Sequence, residues 1–381
     1  MSFGRHLALG LTVGAVWLIP AFAQSPSPPL TAADAVHIAL EKNPLRKAAM
    51  ADKRAASADT QAARSILLPH LSFSETATRG NDPVYVFGSR LRQQSFAQAD
   101  FALNRLNNPL PLGNFSTRLG GTWNLFDSFA SWHGFTRARL VDEAAKHQLD
   151  RTEQEVVFHV IETYVAVLLA TKEFEVAEQS TKTAQAIVDR SQVRFESGLV
   201  VESDLLTAKV RLASRQQETI RATNNLALAQ AQLNTAMGVT IESSFDLSET
   251  LSEPQFPPLV LQDLESAALG TRPDLKRINA EEDAQRQTVS IAKSAFGPQR
   301  NAFAAWEMEN PTLLAGGGGN NWVGGLELRI DLFQGGAKRA ELSRQRALQG
   351  KTAEMKQAAT DRVRLEVRRA FTTKWMQADN K

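Results

Sequence analysis

The sequence predicts a mainly α-helical chain with a β-barrel portion, written as two copies of one unit. Three observations carry this. First, landmarks recur at fixed offsets: Asn43-Pro44 and Pro69 return as Arg272-Pro273 and Pro298, each shifted by 229 positions. Trp123-Asn-Leu-Phe-Asp127 returns as Ile330-Asp-Leu-Phe-Gln334 with a shift of 207, which also carries Val156, Val160 and Tyr164 onto Val363, Val367 and Phe371. Second, no proline lies between Pro111 and Pro254 and no glycine within Phe135 to Ser197, so that stretch is free to form one continuous helix. Third, four short segments alternate apolar with polar residues, the period of a strand. A repeat this long exceeds any solenoid module and reads as a duplicated half-protein: residues 24–238, a linker 239–258, and residues 259–381.

Arg5 and His6 precede an apolar run from Leu7 to Ile19, and Ala21-Phe22-Ala23 forms a small-x-small cleavage pattern, so residues 1–23 are expected to be a signal peptide of an exported protein. No later apolar run is long enough for a core membrane helix. Thr31 with Asp34 makes a capping-box start, and Asn43-Pro44 restarts the helix, which runs to about Arg64. His70 to Thr78 alternates Leu71 and Phe73 with Ser72 and Ser74, and Leu119, Trp123 and Leu125 alternate with Arg118, Thr122 and Asn124. A long polar loop from about Gly80 to Ser116 joins these two strands.

The long helix, residues 135–197, would reach about 95 Å. Its apolar residues form two adjoining rows, Val156-Val160-Tyr164-Leu168 and Val157-Ile161-Val165-Leu169, which calls for neighbours on two sides. Gly198 ends it, and Ser203 is the expected N-cap of a return helix running to Met237. The return helix and the helices of residues 31–64 together match the long one, so they should stack end to end beside it, with the linker near their junction. In the second copy Trp322, Leu326, Leu328, Ile330 and Leu332 share one strand face, and Glu327, Arg329 and Asp331 share the other, which is expected to face a water-filled lumen. Four strands cannot close a barrel in lipid, so the chain is expected to oligomerise; three copies with four strands each, as a homotrimer, would give a barrel of twelve, with the accompanying helices as a tube beneath it.

Composition excludes other classes. The chain has no cysteine, hence no disulfide, thiolate metal site or lipid acceptor, and the net charge of +2 argues against nucleic-acid binding. Residues 336–381 carry twelve Lys/Arg against five Asp/Glu, interspersed as on a solvated helix face. The six histidines have no metal-ligand spacing, Gly316 to Gly319 lacks the ending of a phosphate loop, and no nucleophile elbow or acid–base pair stands out. No cofactor, metal or catalytic residue is expected.

Taken in order, Asn43-Pro44, Leu67-Leu68-Pro69-His70-Leu71, Trp123-Asn-Leu-Phe-Asp127, the turn Gly198 to Leu206, Arg272-Pro273-Asp274-Leu275 and Leu332-Phe333-Gln334-Gly335-Gly336 make the chain resemble the TolC-like outer membrane efflux proteins. The resemblance implies a trimeric exit duct of a tripartite efflux pump or type I secretion system, in the outer membrane with a periplasmic extension. It implies a periplasmic adaptor and an inner-membrane transporter as partners. It makes Gly198, Leu199, Val200, Val201, Ser203, Asp204 and Leu205 the adaptor-docking tip, with Val200, Val201 and Leu205 as apolar contacts. Pro69, Pro298, Gly335 and Gly336 mark where strands and helices join. Ser128-Phe129 replaces the Gly-Gly of the second copy, so the first strand-to-helix turn is expected to be looser. By the 207 offset Lys381 matches Phe174, so the second copy is expected to lack a counterpart to residues 175–238. Two rival readings are a periplasmic adaptor-like coiled-coil scaffold and a non-functional truncated fragment.

Overall fold

The computed structural model describes residues 29–248, 260–313 and 319–378. The expected signal peptide, the later part of the linker and Gly316 to Gly318 lie outside the described residues. Among the described residues nine α-helices and four strands run in the order α1 Ala32–Lys42, α2 Pro44–Ser65, β1 His70–Gly80, α3 Pro83–Arg92, α4 Leu103–Asn107, β2 Leu112–Phe126, α5 Ala130–Glu196, α6 Glu202–Met237, α7 Leu261–Thr271, α8 Pro273–Ser294, β3 Gln299–Asn310, β4 Gly319–Arg329 and α9 Ala337–Ala378. A helix of 11 residues, a helix of 22 starting at proline, two strands and a long helix thus occur twice in the same order.

The caps explain the boundaries. Thr31 Oγ1 accepts from the Asp34 N–H and Asp34 reaches back to the Thr31 N–H, a full capping box. Asn43 ends α1 and caps α2, its Oδ1 accepting from the Leu45 N–H at 2.8 Å. Its side-chain N–H2 donates to Ala236 O at 2.8 Å, fastening the start of α2 to the end of α6. Gly238, in the left-handed region, lies directly against the Asn43 backbone. The two shorter helices therefore meet end to end beside α5, as their lengths require.

At that junction Ala35 and Ala39 of α1, Val156, Val160, Tyr164 and Val167 of α5, and Leu233 and Met237 of α6 form the main core. Tyr164 O–H is shared between Leu30 O and Ser248 O, 2.9 Å from each, so the linker is pinned there at Ser248. The first apolar row of α5 is buried through Tyr164, whereas Ile161, Val165 and Leu169 of the second row are exposed in a single chain. α5, 67 residues or about 100 Å, packs against α2, α6 and α8. Contrary to expectation, it also holds one 18-residue window apolar enough by composition to cross a membrane; packing of its buried row against other helices accounts for part of that apolarity.

The strands form one antiparallel sheet in the order β1-β2-β3-β4. In register, Leu71 faces Gly121, Phe73 faces Leu119, Leu119 faces Trp306 and Trp306 faces Trp322. A bulge interrupts the β2–β3 ladder between Asn124 and Phe126, where the chain turns towards α5.

Three expectations need correction. Ser203 does not cap α6: the helix begins at Glu202 behind Val201, with no side-chain cap. The loop between β1 and β2 is not merely polar coil but carries α3, α4 and a 3-10 turn at Gln98–Phe101; α3 is started by Asp82 accepting from the Tyr85 N–H, with Pro83 at the first helical position. The Ser128-Phe129 turn is not looser than its glycine counterpart. Ser128 and Phe129 hold φ 56° and 69°, close to the 58° and 86° of Gly335 and Gly336. Side chains hold what glycine gives freely: Ser128 Oγ donates to Pro298 O at 2.9 Å, Asp127 accepts from the Ser131 N–H at 2.9 Å, and Phe129 meets Phe126 edge-on.

Candidate functional site

Two surfaces stand out from the sequence, the sheet and the tip of the α5–α6 hairpin. Pairing register divides the sheet into a mostly apolar and a mostly polar face, with Glu75, Thr117 and Arg79 as polar exceptions on the first and Phe303 and Val323 as apolar exceptions on the second. One face carries Leu71, Phe73, Leu119, Trp123, Trp306, Trp322, Leu326 and Leu328, nearly all exposed. The opposite face carries Ser72, Ser74, Thr122, Arg118, Asn301, Glu307, Glu327 and Arg329. Arg118 and Glu307, opposite each other on β2 and β3, form an ion pair at 2.7 Å. Sequence alternation puts Arg118 on the polar side but does not name its partner; the alternation of Asn301, Glu307 and Glu309 along β3 was the available signal. Water on one side and hydrocarbon on the other is the environment that stabilises such a sheet.

Glu327 and Arg329 share the polar face of β4. Asp331 does not belong to the strand, which ends at Arg329. Its carboxylate accepts from Gln334 Nε2 at 2.9 Å and lies 3.6 Å from Lys338 Nζ, so it organises the turn into α9. Ile330 and Leu332 likewise lie beyond the strand, because the chain turns at Gly335-Gly336 and sheet pairing cannot continue. Pro69 and Pro298 immediately precede β1 and β3, where a missing N–H costs no ladder bond.

At the tip, α5 closes with a left-handed Gly198 at φ +73°, the Gly198 N–H donating to Phe195 O and the Leu199 N–H to Arg194 O at 2.8 Å. Nothing approaches the position a Gly198 Cβ would take. Leu199 is 68% exposed, Val201, Ser203 and Asp204 are exposed, and Val200 is half-buried. Leu205 is 5% exposed and packs inside the hairpin, so it braces the tip and offers no outward contact; Leu206, half exposed, points out instead. The arrangement is a hydrogen-bonded turn with a small apolar rim.

Away from these surfaces, Arg272 N–H groups donate to both oxygens of Asp274, at 3.0 and 2.7 Å, and Arg272 also pairs with Glu366 on α9. Partial burial pushes the Asp274 carboxyl up, but the Arg272 hydrogen bonds and charge together hold it below the usual carboxylate range. Among the described residues no group of His, Asp and Glu could hold a metal ion.

The outer membrane efflux protein family matches residues 35–239 and 264–380. The chain belongs to this family. The alkaline protease secretion protein AprF of Pseudomonas aeruginosa is 25% identical over 316 residues, covering 80% of this chain and 61% of AprF. The fusaric acid resistance protein FusA of Burkholderia cepacia is 24% identical over 61% of this chain and 46% of its own length. The chain thus spans about half to three-fifths of the curated relatives it matches. Among solved structures, CusC superposes with a TM-score of 0.75 at 16% identity, covering 92% of this chain and 76% of CusC. The outer membrane protein VceC of Vibrio cholerae gives 0.69 at 18% identity, covering 90% and 79%. Membership places this efflux protein in the outer membrane of the Gram-negative envelope, with its helices extending into the periplasm. Its family and relatives are those of export ducts rather than enzymes.

Proposed function

We propose that three copies of this chain form a passive exit duct of a tripartite efflux pump or type I secretion system, with the energy for transport supplied by partners. The observation that carries the proposal is the sheet: four strands, apolar on one face and charged on the other, with β1 and β4 left as open edges and a helix of about 100 Å leading away from it. An open edge in hydrocarbon costs several kcal/mol per unpaired group, so the edges need partners. β1 and β4 run in opposite directions, so β4 of one copy can pair antiparallel with β1 of the next. Three copies give twelve strands, with Arg118, Glu307, Glu327 and Arg329 lining the bore and setting a loose selectivity. The same assembly covers Ile161, Val165 and Leu169, the row left exposed on α5. We further propose that the two element series are copies of one ancestral unit.

An inner-membrane transporter would feed the duct through a periplasmic adaptor, with Leu199, Val200 and Val201 at the tip as its contact. A periplasmic adaptor-like scaffold is disfavoured, because it has no use for a sheet with one apolar face. The test uses a chain that has no cysteine of its own. Cysteines placed at Ser74 on β1 and Val323 on β4, joined by a flexible bismaleimide in outer membranes, are expected to give covalent dimers and trimers on gels. A heat-sensitive oligomer should appear in unheated samples of the parent chain. Monomer alone in both experiments would overturn the proposal.

A further inference from the structure

Within the segment between β1 and β2, expected from its sequence to be a loop, helix α3 lies across the polar face of the sheet, at the end remote from α5 and α9. It touches every strand there. The Tyr85 ring sits over Gly80 at the end of β1, its O–H shared between Thr78 O at 3.0 Å and Leu112 O at 3.4 Å. Gln93 Nε2 donates to Gly113 O at 3.1 Å and Asn114 Oδ1 at 2.7 Å on β2. Arg92 Nη1 is 3.5 Å from the Glu309 carboxylate on β3. The Arg92 carbonyl occupies the space that a Cβ on Gly319 of β4 would need, so only glycine fits there. Ten residues at 1.5 Å give about 15 Å, and three gaps between strands give about 14 Å.

The crossing is latched by a buried carboxylate. Glu309, 1% exposed, accepts from Asn114 Nδ2 and from Ser116 Oγ at 3.2 Å, and Asn114 in turn accepts from Gln93. The helix has two rows. Val86, Ser89 and Gln93 are buried, whereas Val84, Phe87 and Leu91 lie on the opposite side and are exposed, Val84 by 80% and Leu91 by 51%. Phe87 is braced edge-on by Phe96 at 4.8 Å, which keeps the exposed row in place.

We propose that α3 is an apolar gate at the outer mouth, closed by the Val84, Phe87 and Leu91 rows of three copies meeting on the axis. This rests on the exit-duct reading, which makes the polar face the wall of the bore. The dimensions choose the occupant. Twelve strands about 4.8 Å apart and tilted by about 40° give a bore radius of about 12 Å to the backbone. A helix about 10 Å thick standing on that wall reaches the axis, where its exposed row meets the same rows of the neighbouring copies. The Glu309 latch holds α3 across the bore, and releasing it swings the gate out.

Two measurements on the purified oligomer test this. In planar bilayers the double variant Val84→Asp, Leu91→Asp, and separately Glu309→Gln, should raise single-channel conductance several-fold over the parent. Leu91→Cys should form a disulfide between copies on oxidation, giving dimers on non-reducing gels. The aspartate substitutions sit on exposed positions, so they stay informative should Glu309→Gln fail to fold. A heat-sensitive oligomer with unchanged conductance in the aspartate variant and no Leu91→Cys dimer overturns the gate and leaves the duct standing. Absence of any oligomer removes the duct and the gate together.

Discussion

Gly198 and Gly238 share the same backbone, φ +73° in both, but not the same surroundings. A Cβ at Gly198 meets nothing within 4 Å, whereas one at Gly238 would lie 2.7 Å from Asn43 Cα and 2.9 Å from Asn43 N and Lys42 C. Those are backbone atoms at the start of α2, and Asn43 is tied to Ala236 O, so they cannot move aside cheaply. Gly198→Ala therefore costs the left-handed penalty alone, about 1–2 kcal/mol. Gly238→Ala adds overpacking of about 1–3 kcal/mol, for a total of about 2–5 kcal/mol. The loss of unfolded-state entropy on replacing glycine is common to both and cancels in the comparison. With an unfolding entropy of about 2 cal/mol/K per residue, the 381 residues make 1 kcal/mol worth roughly 1 °C in midpoint. Thermal melts of the detergent-solubilised protein, followed by circular dichroism at the helix band, should place the Gly238→Ala midpoint below that of Gly198→Ala by about 1–3 °C. Equal midpoints, or a lower one for Gly198→Ala, would refute the argument that the end-to-end junction of α2 and α6 is closely packed.

Three further sets of outcomes are expected, from α5, the α5–α6 tip and α8. Tyr164→Phe removes the O–H shared by Leu30 and Ser248 and should cost about 1–2 kcal/mol, with faster amide exchange at residues 30 and 248. Leu205→Ala should destabilise the hairpin by about 2–3 kcal/mol in thermal melts, whereas Leu199→Asp on the exposed rim should leave the midpoint unchanged and abolish crosslinking to an adaptor. Asp274 has a depressed folded pKa, so its contribution is present above the unfolded value near 3.9 and lost as pH falls through the folded value. Asp274→Asn should therefore lower stability at pH 7 by about 1 kcal/mol or less after solvent screening, with the gap to the parent closing on acidification below pH ~4.

Much of the architecture was legible along the chain because it depends on local rules. Freedom from proline and glycine marked α5, Gly198 and Gly238 marked two helix ends, and Asn43-Pro44 marked a restart. Alternation assigned Arg118, Glu327 and Arg329 to one sheet face and Leu119, Trp123 and Leu326 to the other. Asp331 was misplaced because alternation does not reveal where pairing stops, and that depends on the turn at Gly335-Gly336. Leu205 was misjudged because an apolar residue at a tip reads the same whether it braces the hairpin or rims it. The helix α3 was hidden in a mixed segment of ten residues whose own pattern is weak, and only contact with Gly80, Asn114, Glu309 and Gly319 places it.

By itself, then, the sequence determined the features that backbone freedom and periodicity dictate: the long helix and its hairpin, the two strand pairs, the division of each strand into an apolar and a polar side, and the family these features resemble. Only the tertiary structure decided which residues far apart in the chain share a space. It brought Asn43 to Gly238, Arg118 to Glu307, Ser128 to Pro298, and α3 across four strand ends. The reason is physical. A helix or strand declares itself through neighbours a few residues away, whereas a close approach of backbones or a buried carboxylate is chosen by partners that no local pattern names.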